Sequence, residues 1–320
     1  MSKKLYDGVV VTGIWPIDAQ HYLVKNTYAP ARKTLSNVSV WDTENNTRTD
    51  LWTAEAGFTI QDIVSTPNYY YWSVNTDVLM PEDTAWKIYQ YDRATKKTRV
   101  VLSYENYPTT SLPRLTVYGE TLLFVSHEQD AEENDVHYAV QWDAETETAR
   151  KLFKLCRVVN AFTRMVVDGD DLYINDYTSQ GVILRYNLKT NELAMFQPEL
   201  QYEDENIFRI AVTENAIYYS TNHNMLYVRA ASEEKARAVL SFPFSIGSVG
   251  NQLVFTHAGM IYCLPDGSDT YYKLTEDRTK EGYADYFFFP LERPIIYAGL
   301  SYVDNGATVT EPLVYQYSES

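Results

Sequence analysis

The chain is poor in cysteine. Cys156 and Cys263 are far apart and in no metal-ligand spacing, which points to two buried thiols and a reducing compartment. Glycine and proline, at 13 and 12 of 320 residues, are too few for a disordered polypeptide. No apolar run is long enough to span a bilayer, and the opening "MSKKLYDGVVVTGIW" breaks its four-residue apolar run with Thr and Gly, so it reads as neither signal peptide nor membrane helix. The expected compartment is therefore the cytoplasm, or the cell surface or exterior if an export signal has been removed. Positive charge is also scarce. A net charge of −16 makes nucleic-acid phosphates and anionic membranes poor partners and favours solubility. Motifs of local chemistry are missing as well: there is no G-x-S-x-G elbow, H-E-x-x-H, phosphate loop or dinucleotide fingerprint.

Aromatic residues are plentiful, with 28 Tyr, 12 Phe and 6 Trp. Such side chains suit pleated, half-buried surfaces, so the composition leans to strands. At this length roughly 75% of the unfolded surface can be buried, and a core forms without staples.

"WDTENNTRTDLW" at 41–52, "YDRATKKTRVVL" at 91–102 and "WDAETETARKLF" at 142–153 share one pattern of strand, tight polar turn and strand. It recurs at Tyr186, Arg229, Leu264 and Tyr317, a mean spacing of about 46 residues, which suits a four-stranded propeller blade. A second strand pair precedes the later copies, as in "LPRLTVYGETLLFVS" and "FTRMVVDGDDLYIND". The expectation is one all-β domain over residues 1–320, a seven-bladed β-propeller of four-stranded antiparallel blades, each a meander of strands A to D. Its last blade lacks a strand, and residues about 3–12 are expected to supply it and close the ring. Two stacked β-sandwiches are the alternative.

"LPDGSDTYYKLT" at 264–275 resembles the D-G-S, four residues, L-T signature of TolB-like, WD-repeat-like propeller repeats, a resemblance specific in this blade and looser in the others. That resemblance implies a functional face built from the D-to-A and B-to-C loops. The B-to-C connections of units one, two, three and seven are long, as in "NTYAPARKTLSN" and "SYVDNGATVTEP", and long loops on a rigid scaffold collect binding residues.

Counting back five residues from Gly119, Gly169, Glu214 and Gly250 aligns Arg114, Arg164, Arg209 and Ser245. Each Arg would begin an innermost strand at the channel mouth. Three guanidiniums there repel one another unless an anion sits between them, which suggests a carboxylate or acidic-sugar site; the plainer reading pairs them with Asp62, Asp285, Glu203 or Glu205. Trp86, Tyr107, Tyr177 and Tyr202 are read as loop aromatics on the same face. His127, His223 and His257 fall near the ends of B strands, and the resemblance brings in oligogalacturonate lyases, propellers with a His-bound metal and an Arg facing uronate. Ordinary strand-end histidines are the plainer reading. "HEQDAEENDVH" at 127–137 reads as a solvated hairpin tip and the runs at 69–72 and 286–289 as packing between blades.

The function expected is a noncatalytic module binding a protein or a small anionic ligand, without a cofactor. The rivals are a lyase or hydrolase of acidic oligosaccharides using a divalent metal, and a structural scaffold.

Overall fold

A computed structural model describes residues 11–18, 20–26, 36–42, 44–55, 58–76, 85–104, 114–129, 132, 135–155, 165–176, 181–198, 200–233, 235–241, 243, 246–257, 260–274, 285–292, 295–304 and 307–316, the last three stretches as backbone alone. They contain no helix and form six four-stranded antiparallel sheets and one three-stranded sheet, each a simple meander. The first sheet joins β1 (Val11–Pro16), β2 (His21–Asn26), β3 (Asn37–Asp42) and β4 (Thr47–Thr53). The second joins β5 (Phe58–Ser65), β6 (Tyr69–Thr76), β7 (Trp86–Asp92) and β8 (Lys97–Tyr104). In the third are β9 (Leu115–Tyr118), β10 (Thr121–Gln129), β11 (Asp135–Asp143) and β12 (Thr148–Lys154). The fourth is β13 (Met165–Asp168), β14 (Asp171–Asp176), β15 (Val182–Asn187) and β16 (Leu193–Phe196). The fifth comprises β17 (Ile207–Val212), β18 (Ala216–Thr221), β19 (Met225–Ala230) and β20 (Arg237–Ser241). The sixth has β21 (Ile246–Val249), β22 (Gln252–His257), β23 (Met260–Pro265) and β24 (Tyr272–Lys273). The last is β25 (Asp285–Glu292), β26 (Ile295–Asp304) and β27 (Ala307–Gln316).

The chain forms two compact units, Leu5–Leu155 and a second made chiefly of Cys156–Ser320. In the first, β5 packs against β1, β2 and β9; in the second, β17 packs against β13, β14 and β21, and β21 against β25. Leading strands of successive sheets are therefore neighbours within each unit.

The recurrent sequence pattern is a hairpin cap. Asp42 Oδ1 accepts the amides of Glu44 and Asn45, Asp92 Oδ1 those of Ala94 and Thr95, and Asp143 Oδ1 those of Glu145 and Thr146. Asn187 Oδ1 does the same for Lys189 and Thr190. Four residues on, Asn46, Lys96, Glu147 and Asn191 take left-handed backbone, φ 52° to 60°, which lets the chain reverse. Where that residue is Asn, its side chain ties back to the preceding aromatic: Trp41 Nε1 donates to Asn46 Oδ1 at 3.3 Å and Tyr186 OH to Asn191 Oδ1 at 2.8 Å.

Facing sheets bury their apolar sides against each other. In "YYYW", Tyr70 and Trp72 pack with Leu23, Val38, Ile60 and Ile63 between the first and second sheets. Tyr71, one residue out of phase, packs with Trp86, Leu115, Phe124 and Trp142 between the second and third. The aromatic run is thus core on both faces. Each such side chain stabilises the fold by ~1.5–3 kcal/mol, against ~0–1 for an exposed ion pair such as Lys189–Asp170.

Two sequence expectations are corrected. "SYVDNGATVTEP" is mostly strand: β26 and β27 remain in register to Asp304↔Ala307, leaving two residues between them. "HEQDAEENDVH" is likewise mostly ladder, with His127, Glu128 and Gln129 paired to His137, Val136 and Asp135. Alternation of polar and β-forming residues carried both strands through segments that composition alone reads as loops. Val11, expected in a closing strand, pairs with Asn26 in the first sheet; residues 1–10 lie outside the described residues, as do Tyr317 and Cys156. Cys263 is fully buried, with Sγ 2.5 Å from Gln252 Oε1, and burial pushes its thiol up to about 11.

Candidate functional site

The leading strands of the first, second and fifth sheets each carry a register shift near their beginnings, at Val11/Gly13, Ile60/Asp62 and Ile207/Arg209. Such a bulge takes one residue out of the ladder and re-aims its groups. In the second sheet that residue is Gln61, and its carbonyl accepts a hydrogen bond from Lys25 Nζ. Lys25 reaches it because Gly13, its ladder partner, has no side chain: a Cβ there would lie 2.6 Å from Lys25 Cε and 2.9 Å from Cγ. Gln61 is fixed in turn by its amide, which donates to Asn75 Oδ1.

Asp62 follows. Its Oδ1 accepts the amide of Ile63 at 3.0 Å, and its Oδ2 accepts that of Leu115 at 3.1 Å, joining the beginning of β9 to β5. Arg114, immediately before Leu115, is half-buried. The three ionisable groups feel one another at Lys25, whose pKa falls to about 8: desolvation is the main cause, Asp62 opposes it and Arg114 adds to it. Although Lys25 keeps part of its surface in water, its ammonium is crowded by protein.

Counting back from the first turn of each sheet, Asp62 in the second occupies the position of Arg114 in the third and Arg209 in the fifth. The second and fifth sheets make this turn with Thr66 and Thr213, whose Oγ1 atoms accept the amides of Tyr69 and Ala216; the third, fourth and sixth use Gly119, Gly169 and Gly250 at φ 57° to 59°. The "TPN" turn of the second sheet has no glycine to mark the count, and its residue at the equivalent position is an acid, Asp62, where the third and fifth sheets carry Arg. Lys25, on a different strand, had no signal at all.

In the second unit, Arg209 is half-buried in β17 opposite Ser220. Glu205, fully buried, accepts hydrogen bonds from the amides of Gln201 and Tyr202 and the hydroxyls of Thr221 and Tyr227. It fastens the loop ahead of β17 to β18 and β19. On the outside of that loop, Asp204 Oδ1 lies 2.9 Å from His223 Nε2, and the His223 ring stacks on Tyr202 at 4.5 Å. Glu203 is exposed.

Trp86 is not a loop residue: it opens β7, 2% exposed, in the core between the second and third sheets. Its aromatic bulk is taken up by packing and is not available to a ligand. Tyr202 is in a loop and 47% exposed, as expected. His257 ends β22, with its ring 6.1 Å from that of Tyr262, and the His127 backbone pairs with His137. Among the described residues no group of three or more His, Cys, Asp or Glu is placed to hold a metal. Arg164, Ser245, Tyr107 and Tyr177, and the side chains of His127 and Asp285, lie outside the described residues. No helix among the described residues is long and apolar enough to cross a membrane.

No protein-family model and no curated protein matches the chain. Solved structures do. The β-propeller domain of the Trilobed protease from Pyrococcus furiosus, described as having an open velcro topology, is similar at a TM-score of 0.64 and 12% identity, over 100% of this chain and 97% of that one. YCF48 bound to D1 peptide is similar at 0.66 and 8%, over 99% and 97%. The polysaccharide lyase Uly1 is similar at 0.62 and 8%, over 96% and 90%. At these identities the likeness speaks to fold alone, and with the meandering four-stranded sheets it makes this chain an all-β protein of the β-propeller fold.

Proposed function

We propose that the chain is a seven-bladed propeller, TolB-like in its repeats, acting as a noncatalytic module that binds a protein or a small anionic ligand on the face bearing Arg114, Arg164, Arg209 and Tyr177. The reading is supported by one observation: Lys25 donates to the carbonyl of Gln61, and the next residue, Asp62, accepts the amide of Leu115, which directly follows Arg114. A ligand carboxylate on this face would accept charge-assisted hydrogen bonds from such cationic groups. Thermal unfolding with citrate or galacturonate tests it. Each anion is expected to raise Tm, and Arg114→Ala and Arg164→Ala to abolish the rise; if no anion stabilises even the unaltered protein, the reading is wrong.

A metal-dependent lyase is the rival, and oligogalacturonate lyase in complex with manganese shares the fold at a TM-score of 0.57 and 13% identity. Stabilisation by manganese, lost on replacing His127, His223 or His257, would favour it over the binding module. Recovery of one partner from lysate despite Arg114→Ala would favour a scaffold. Ring closure by residues about 3–12 is part of the proposal. Deleting residues 1–10 is then expected to lower Tm, whereas an unchanged Tm would point to an open ring.

A further inference from the structure

Among the described residues β4, β8, β12, β16, β20 and β24 each end a sheet, with no strand beyond them. A bare edge of this kind is a template for another strand. Four of the six are guarded twice. β4, β8, β12 and β20 each take one extra residue into the ladder, at Leu51, Val101, Leu152 and Val239, a bulge that bends and twists the edge. They also carry cations: Arg48 in β4, Lys97 and Arg99 in β8, Arg150, Lys151 and Lys154 in β12, and Arg237 in β20. β24 is guarded by its length, two residues, one of them Lys273. β16 has neither bulge nor charge. Its register is unbroken from Tyr186↔Leu193 to Ile183↔Phe196, its sequence is "LAMF", and Leu193 and Met195 are 48% and 64% exposed.

The backbone of β16 says what would fit it. Asn187 N donates to Glu192 O at 2.9 Å, closing the hairpin from β15. Bonded and non-bonded pairs alternate along an antiparallel ladder, so Arg185↔Ala194 and Ile183↔Phe196 exchange hydrogen bonds while Tyr186↔Leu193 and Leu184↔Met195 do not. The amides and carbonyls of Leu193 and Met195 therefore point away from β15, where an extended segment would satisfy all four. Charge narrows its chemistry. Exposed Glu192 precedes the strand and shares a face with Ala194, while Arg185 on that face is already matched by Asp171 at 2.5 Å. At the other end the Arg229 guanidinium covers the Phe196 ring at 4.2 Å, so a cation on the incoming segment belongs at the Glu192 end. A second copy fits poorly, since two chains of net charge −16 repel and a four-residue edge covers far less than the roughly 800 Å² per partner of a stable interface.

We infer that β16 accepts an antiparallel fifth strand from a partner protein, an extended segment reading apolar, any residue, apolar, then Lys or Arg. Its two apolar residues lie beside Met195 and Leu193 and exchange backbone hydrogen bonds with them, and its cation lies beside Glu192. The inference goes beyond the anion-binding reading and does not depend on it.

The test is an NMR titration of the full chain with the acetylated peptide threonine-valine-threonine-valine-lysine-threonine. The amides of Leu193 and Met195 are expected to shift and gain protection from exchange, while those of Ala194 and Phe196, already bonded to β15, change little. N-methylation of both valines should abolish binding, and glutamate in place of the lysine should weaken it about threefold or more. Met195→Pro removes one outward donor and no bond to β15, and should weaken binding about tenfold. Met195→Lys, which gives β16 the guard its counterparts carry, should abolish it with the fold intact. Equal binding of the glutamate peptide, protection on β8 or β12 in place of β16, or no binding up to about 1 mM overturns the inference. So does a dimer in light scattering that Met195→Lys dissolves, which would assign the edge to a second copy.

Discussion

At Gly13 a missing side chain admits a neighbour's. Its backbone is not in the left-handed region, so alanine is conformationally acceptable and the only obstacle is the Lys25 stem, a flexible chain able to swing away. Gly13→Ala is therefore expected to change stability by less than ~1 kcal/mol while moving the Lys25 titration from about 8 back toward its ordinary 10.5, followed by NMR of the labelled ammonium. Lys25→Met tests the same desolvation through stability. Because the folded pKa lies below the unfolded one, the buried charge weakens the fold fully below about pH 8, and the penalty fades as pH rises to about 10.5. The variant should exceed the unaltered protein by on the order of 1–2 kcal/mol at pH 7, after allowance for partial exposure, and match it near pH 10.5 in denaturant titrations. None of this was legible in the sequence, because Gly13, Lys25, Gln61 and Arg114 meet only through ladder register and a bulge. Arg114 alone among them carries a mark in the sequence, the glycine turn five residues on.

Among the elements, the capped hairpin was the most legible. Asp42, Asp92, Asp143 and Asn187 need only a short side chain carrying an acceptor, and that requirement appears in the sequence as a repeat. Asp92→Asn should accordingly be tolerated, whereas Asp92→Ala, which leaves the amides of Ala94 and Thr95 without their acceptor, should lower Tm. Lys96 sits at φ 58° in the same turn, and Lys96→Gly is expected to raise stability by up to about 1 kcal/mol in urea titrations. Glu205 is the opposite case, an element-level fastener with no local signature, since its hydroxyl partners lie 16 and 22 residues away. Glu205→Gln would set an amide donor among the donors that the carboxylate accepts, and should cost ~2–3 kcal/mol with faster hydrogen exchange at Gln201 and Tyr202.

For the whole molecule, a spacing of about 46 residues was enough to read the sheet meanders, because each sheet repeats one turn chemistry and one pair of apolar faces. The same regularity misled at 301–312, where strand outlasted the expected loop, and at Trp86, where an aromatic beside a long connection proved to be core. Turn chemistry also differs between the two compact units. The caps at Asp42, Asp92 and Asp143 all belong to the first, and all three carboxyls titrate below the ordinary 3.8: Asp42 chiefly through the Asn45 side chain, Asp92 and Asp143 chiefly through the amides of Thr95 and Thr146. Their contribution is complete above that value and vanishes as pH falls through the depressed one. Asn187, the counterpart in the second unit, has no proton to gain. Acid thus reaches three fasteners of the first unit directly, whereas the matching clasp of the second has no carboxyl of its own to protonate. Deuterium uptake below about pH 4 is expected to rise first at residues 44–46, 94–96 and 145–147, before any rise at 188–191, and simultaneous uptake would contradict that order. A protein whose turns differ in this way carries an uneven, built-in vulnerability to sour surroundings, written into the choice of carboxylate over amide at a single recurring corner.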